Sequence, residues 1–182
     1  MGFGRIICII IFLGIVTSQS ASAQEITPSV TPSPTPVAYT LPHPGILPGQ
    51  PFYFLKDIRD TLVGFLISEP IKRAAYDVLQ TDKKIQAAVM LLTQQKDEEL
   101  VSQTLTQAER AFAHAIEQVT IAEKQGIEIK EIVAHLTIAN RKHQEVLRDV
   151  IKEATGMEEK MLSQHLQIVL ELEKKVRKLD RK

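Results

Sequence analysis

Residues 101–122 read VSQTLTQAERAFAHAIEQVTIA, and their apolar spacing decides the fold. Val101, Leu105, Ala108, Phe112, Ala115, Val119 and Ala122 recur at alternating steps of four and three. This is the seam of a coiled coil: one apolar stripe stays on one side of a helix, and its alanines admit a neighbouring backbone at close range. Gly126 follows as the left-handed residue that ends such a helix. Upstream, Asp97 is placed to cap it, with Glu98 and Glu99 at the positive end of the helix dipole.

Similar stripes flank this one. Before it, Ile71, Val78, Ile85 and Leu92 stand seven residues apart, thickened by Ala74, Ala75, Ala88 and Val89. Ser68 and Pro70 mark the start of that helix, and it is expected to run to about Gln95, where no glycine or proline stops it. After Gly126, a third stripe comprises Ile129, Ile132, Leu136, Ala139, His143, Val146, Val150 and Ala154, with Gly156 as its stop. Leu162, Leu166, Val169, Leu172, Val176 and Leu179 form a fourth, running to the C-terminus. At 1.5 Å per residue each helix is roughly 40 Å long, and such short turns make consecutive helices antiparallel.

An isolated helix is only marginally stable in water, so these stripes must cover one another. Each buried large aliphatic side chain contributes about 1.5–3 kcal/mol, far more than a surface i,i+4 ion pair. The expected fold is therefore all-α: an elongated antiparallel bundle of four long helices plus a short N-terminal amphipathic helix. That short helix, residues 51–67, carries Leu55, Ile58, Leu62 and Phe65 on one side and Lys56, Asp57, Arg59 and Asp60 on the other. Its aromatic residues Phe52, Tyr53, Phe54 and Phe65 are expected to close one end or side of the bundle.

The chain begins differently. Arg5 precedes an apolar run, residues 6–16, and Ala21-Ser22-Ala23 follows. A cation, a short apolar core and an Ala-x-Ala end constitute a secretory signal, with cleavage expected after Ala23. The run falls short of the ~20 apolar residues that span a bilayer, although an uncleaved N-terminal membrane anchor is the alternative. Cleavage would remove Cys8, the only cysteine, and with it any thiolate nucleophile or cysteine metal site. Eight of the nine prolines then lie between Pro28 and Pro51, so helix is excluded there. The expected organisation is a signal peptide at 1–23, a Pro/Ser/Thr-rich linker and junction at 24–50, and the bundle at 51–182.

The junction LPHPGILPGQPFYFLKDIRD, residues 41–60, followed by SEPIKRAAYDVLQTDKKIQAA, residues 68–88, resembles an exported bacterial family defined by a domain of unknown function. The resemblance rests on Leu41, Pro42, Pro44, Gly45, Leu47, Pro48, Pro51, Tyr53, Leu55 and Lys56, then on Pro70, Lys72 and Arg73. His43 stands where the family more often has an aromatic residue. The resemblance implies an exported helical domain and carries no active site with it.

Chemical motifs are sparse. Lys+Arg and Asp+Glu each number 22, a balance that argues against nucleic-acid binding. No phosphate-cradling glycine loop or nucleophile elbow occurs. Of the histidines His43, His114, His135, His143 and His165, no two are three or four apart, and no Glu-x-x-His motif builds a di-iron site. Glu131 and His135, four apart, are the nearest approach to a metal pair, and His135 otherwise reads as a surface residue. His143 replaces an apolar group in the third seam and reads as a hydrogen-bonded core histidine. Asp82 lies one position off its stripe and reads as a rim residue paired with lysine. The basic C-terminal segment, residues 174–182, complements the helix dipole or touches anionic lipid or cell-wall polymer.

These observations point to a non-enzymatic, exported interaction or structural module of the cell envelope, with no catalytic residue, cofactor or metal. Its expected partner is a protein or a second copy, engaged through helix faces. The alternatives are a periplasmic-type helical stress sensor or chaperone and, less favoured, a metal-binding bundle.

Overall fold

A computed structural model describes residues 36–181 of the protein. The expected leader, with Cys8, and residues 24–35 of the expected linker lie outside the described residues. Among the described residues the protein is all-α, with helices α1 (Tyr53–Leu66), α2 (Pro70–Thr93), α3 (Glu98–Lys124), α4 (Lys130–Glu153) and α5 (Gly156–Asp180). No helix among them is long and apolar enough to cross a membrane.

The helix ends follow from local chemistry. Asp97 caps α3 by accepting the Glu99 N–H at 3.2 Å. Glu69, not Ser68, occupies the N-cap of α2, and no side chain caps there; Pro70 at the first helical position supplies the start. Gly126, at φ +74°, ends α3 with its own N–H on the Glu123 carbonyl and the Ile127 N–H on that of Ala122. Gln95 adopts the same left-handed conformation after α2, at φ +52°, with the same pair of bonds to Leu92 and, through Lys96, to Leu91. The ambiguous stop expected at that point is thus a standard helix termination built on a non-glycine residue.

Two antiparallel hairpins make the body. Asp77, Thr81 and Lys84 of α2 meet His114, Ala108 and Gln107 of α3 in descending order. α5 turns back on α4 after a two-residue break, and the Asn140 side chain bonds the Val169 carbonyl across the pair at 3.1 Å. Between hairpins, α2 packs on α4 and α3 on α5, whereas α2 and α5 are not in contact. Each of α2, α3, α4 and α5 therefore packs chiefly on one antiparallel and one parallel neighbour, with a slighter contact between α3 and α4.

The seam residues of α3 named from the sequence all lie in the core, from Val101 to Ala122. The core itself is in two parts. One gathers Val78, Phe112, Val119, Leu136, Val176 and their neighbours; the other gathers Ile85, Leu91, Leu105, Leu147, Leu162 and theirs. The junction belongs to this body from Val37 onward. The Val37 N–H donates to Glu145 at 2.8 Å, Leu41 packs against the second cluster, and Leu47 is buried within it. Glu145 is held below the usual carboxylate range by Lys142 and by this Val37 N–H.

Candidate functional site

Polar side chains are buried at the waist between the two apolar clusters. Asp82 of α2 is 2 % exposed and His143 of α4 is 1 % exposed, and they meet at 2.6 Å through His143 Nε2 and Asp82 Oδ1. A carboxylate only accepts, so Nε2 carries the proton. The other Asp82 oxygen accepts the Tyr39 hydroxyl at 2.5 Å. Tyr39 has one proton, so the His135 Nε2, 3.2 Å from the phenol oxygen, donates to it. Burial, reinforced by Asp82, raises the Tyr39 phenol far above its ordinary range and keeps it a donor. The Phe112 ring meets the His143 ring edge-on, 5.6 Å between centroids at 81°.

This geometry revises two expectations. Asp82 is a core acceptor rather than a rim partner of lysine. His135 is half-buried against the Tyr39 ring, at 6.0 Å between centroids, rather than a plain surface residue. His143 occupies the hydrogen-bonded core position read from its seam.

Two further imidazole–carboxylate pairs have no counterpart in the sequence reading. His165 Nδ1 of α5 meets Glu109 of α3 at 2.7 Å, and its Nε2 lies 3.1 Å from the Ser102 hydroxyl. His114 Nδ1 of α3 meets Asp77 of α2 at 2.7 Å. Each pair bridges a different helix interface: α2–α4, α3–α5 and α2–α3. Among the described residues, no buried side-chain nitrogen or oxygen lacks a partner.

Ser102, His165 and Glu109 follow the hydroxyl–imidazole–carboxylate order of a nucleophilic relay. Acyl transfer also needs donors aimed at a developing oxyanion. Ser102 is the fifth residue of α3, one turn beyond the Asp97 cap, where the Glu99 N–H is taken by the Asp97 side chain and the Val101 N–H by the Asp97 carbonyl. The triplet ties α3 to α5 through His165. Among the described residues, no three His, Cys, Asp or Glu side chains gather as a metal site. Glu131, considered with His135, is exposed.

α1 departs most from expectation. Its stripe was expected to cover the bundle, yet Ile58 is 53 % exposed, Leu62 57 % and Phe65 81 %. Phe54, Leu55 and Leu66 are exposed beside them. The opposite side faces α2. Tyr76 donates its hydroxyl to the Asp60 carbonyl at 2.9 Å, and the Arg73 guanidinium bonds the Gly64 carbonyl. A Cβ at Gly64 would stand only 3.0–3.2 Å from that guanidinium, so glycine permits the approach. Lys56 and Asp60 pair at 3.3 Å on the same inner side. Burial, with Asp57 and Asp60 adding to it, pushes the Tyr53 phenol up to about 12. The surface of α2 beneath is polar, offering Arg73, Tyr76 and Asp77, so α1 seats its polar side and turns its apolar side outward.

The basic C-terminal segment is partly neutralised: Lys174 pairs with Glu171 at 2.6 Å and Arg177 with Glu173 at 2.5 Å. No family model, curated protein or solved structure matches the chain.

Proposed function

We propose that this protein is an exported, non-enzymatic interaction module of the cell envelope. In this reading it is an elongated bundle of four long helices, and the short α1 is its contact element. The Pro/Ser/Thr stretch tethers it, and the family resemblance of the junction belongs to the same reading. The observation that carries it is the outward apolar face of α1. Contiguous apolar surface beyond a few hundred Å² is uncommon on a monomer and marks a contact site. The buried waist supports the non-enzymatic part, because its polar groups are spent on one another. α1 presents a narrow convex ridge, which favours a defined partner over the broad concave surface of a chaperone for unfolded clients.

Site-specific photocrosslinking in the native envelope tests this. A photoreactive residue at Leu62 or Phe65 is expected to give discrete adducts, and one at Gln103, exposed on α3, none. Equal labelling at all three positions would remove α1 as the contact element.

A further inference from the structure

The apolar face of α1 has an internal symmetry that selects its partner. Phe54 and Leu66 lie six residues either side of position 60, Leu55 and Phe65 five, and Ile58 and Leu62 two. At 3.6 residues per turn, side chains equidistant from position 60 lie on opposite flanks of the line opposite Asp60. Asp60 itself faces the bundle, its side chain 12 % exposed. The outward ridge thus reads the same in both directions along the helix. A two-fold interface demands this property, because one patch must fit itself.

We infer that α1 pairs antiparallel with α1 of a second copy, about a two-fold axis opposite Asp60. This rests on the reading of α1 as the contact element and names its partner. In the pair, Ile58 lies level with Leu62 of the other copy, Leu55 with its Phe65, and Phe54 with its Leu66. Each side chain approaches from the opposite flank to its counterpart, so the two rows interdigitate rather than collide. Taking about 200 Å² for a fully exposed phenylalanine and slightly less for leucine or isoleucine, the six side chains offer on the order of 700 Å² per copy, close to the ~800 Å² of a standard interface. A lipid surface fits less well. Interfacial helices are rich in lysine and arginine, whereas Lys56 and Arg59 are balanced by Asp57 and Asp60.

Sedimentation equilibrium of the exported chain, collected from producing cells, tests the pairing. The expected result is a dimer with a dissociation constant on the order of micromolar. Ile58→Lys and Leu62→Glu each place an unpaired charge against the partner's apolar row and should weaken it at least ~100-fold. Both side chains are more than half exposed, so helical circular dichroism should not change. A mixture of the two variants should dimerise again. The cation introduced at position 58 of one chain then meets the carboxylate introduced at position 62 of the other, while the unaltered Leu62 meets the unaltered Ile58. A parallel pairing leaves both charges unmatched and gives no rescue. A monomeric wild type, a dimer that survives both single variants, or a mixture that stays monomeric overturns the proposal. If the chain is monomeric yet crosslinks from Leu62 to another envelope protein, self-pairing falls and the contact reading stands. If it instead floats with anionic vesicles, the partner is lipid. If it does neither, both readings fall.

Discussion

Replacing Asp82 by alanine separates two physical pictures of the waist by their magnitudes. As a rim ion pair with lysine, Asp82 would contribute about 0–1 kcal/mol. In the structure its carboxylate is 2 % exposed and accepts from both Tyr39 and His143. Truncation strands the buried His143 donor and frees the half-buried Tyr39 hydroxyl to turn to water. The unsatisfied buried donor costs about 1–3 kcal/mol and the lost Tyr39 bond about 1 kcal/mol more, so the loss should reach roughly 2–4 kcal/mol. Urea unfolding followed by circular dichroism reads this as a lowered midpoint with an unchanged slope. Tyr39→Phe removes one donor and should cost only about 1 kcal/mol. Replacing both core partners, Asp82→Leu with His143→Leu, removes the buried imidazole with its acceptor, leaves only the half-buried Tyr39 hydroxyl to turn to water, and should recover most of the loss, ending within about 1.5 kcal/mol of wild type. A loss below about 1 kcal/mol for Asp82→Ala would refute the buried network. So would a double variant as unstable as the single one.

Phe112→Ala should cost about 4–5 kcal/mol, since a ring 1 % exposed leaves a hole lined partly by alanines and the edge contact with His143 is lost; a melting shift no larger than that of Leu79→Ala, at a partly exposed site, would contradict it. Gln95→Gly should stabilise by about 1 kcal/mol, because φ +52° strains any side chain and the helix termination it makes is otherwise that of Gly126; thermal unfolding checks this. The Val37–Glu145 contact should open in acid. Glu145 has a lowered folded pKa, so its contribution is fully present above the unfolded value of ~4.3 and is lost as pH falls through the folded one. Hydrogen exchange at the Val37 amide, corrected for intrinsic rate, should lose its protection only in that acid window.

The helices were legible because their cause is local. The α3 seam shows itself at every turn between Val101 and Ala122, and each of those side chains is buried. Asp97 and Gly126 bound the helix by chemistry within a few residues. The imidazole–carboxylate pairs were legible only at His143, which interrupts an apolar stripe. Glu109, His165, Asp77 and His114 sit beside seams rather than in them, and the partner of each lies on another helix, 37 residues away for Asp77–His114 and 56 for Glu109–His165. Periodicity within one helix does not encode which faces meet. α1 shows the same limit. Tyr53, Lys56, Asp60 and Gly64 form a second stripe at helical spacing, and only the polar surface of α2 decides that this stripe turns inward.

The placement of the buried pairs follows from the composition of the seams. Ala74, Ala88, Ala108, Ala115, Ala122 and Ala139 are all buried, and small side chains let helices approach closely while barely penalising a slide of one turn. Apolar burial therefore favours association of the hairpins more strongly than any single register. An imidazole facing a carboxylate behaves differently. A shift of one turn, about 5.4 Å, strands Asp82 with His143, or Glu109 with His165, in a low-dielectric core, whereas at the third pair only Asp77 is buried and His114 reaches solvent. With one such pair on α2–α3, one on α2–α4 and one on α3–α5, a slide of either hairpin against the other, or within the first hairpin, breaks at least one of them. α4–α5 has no such pair and relies on Asn140 and Gln144, which bond Val169 and Glu173 across the interface. The polar pairs thus act chiefly on alternative registers, holding the bundle in one alignment, while Arg73 and Tyr76 hold α1 on the α2 surface with its apolar face outward.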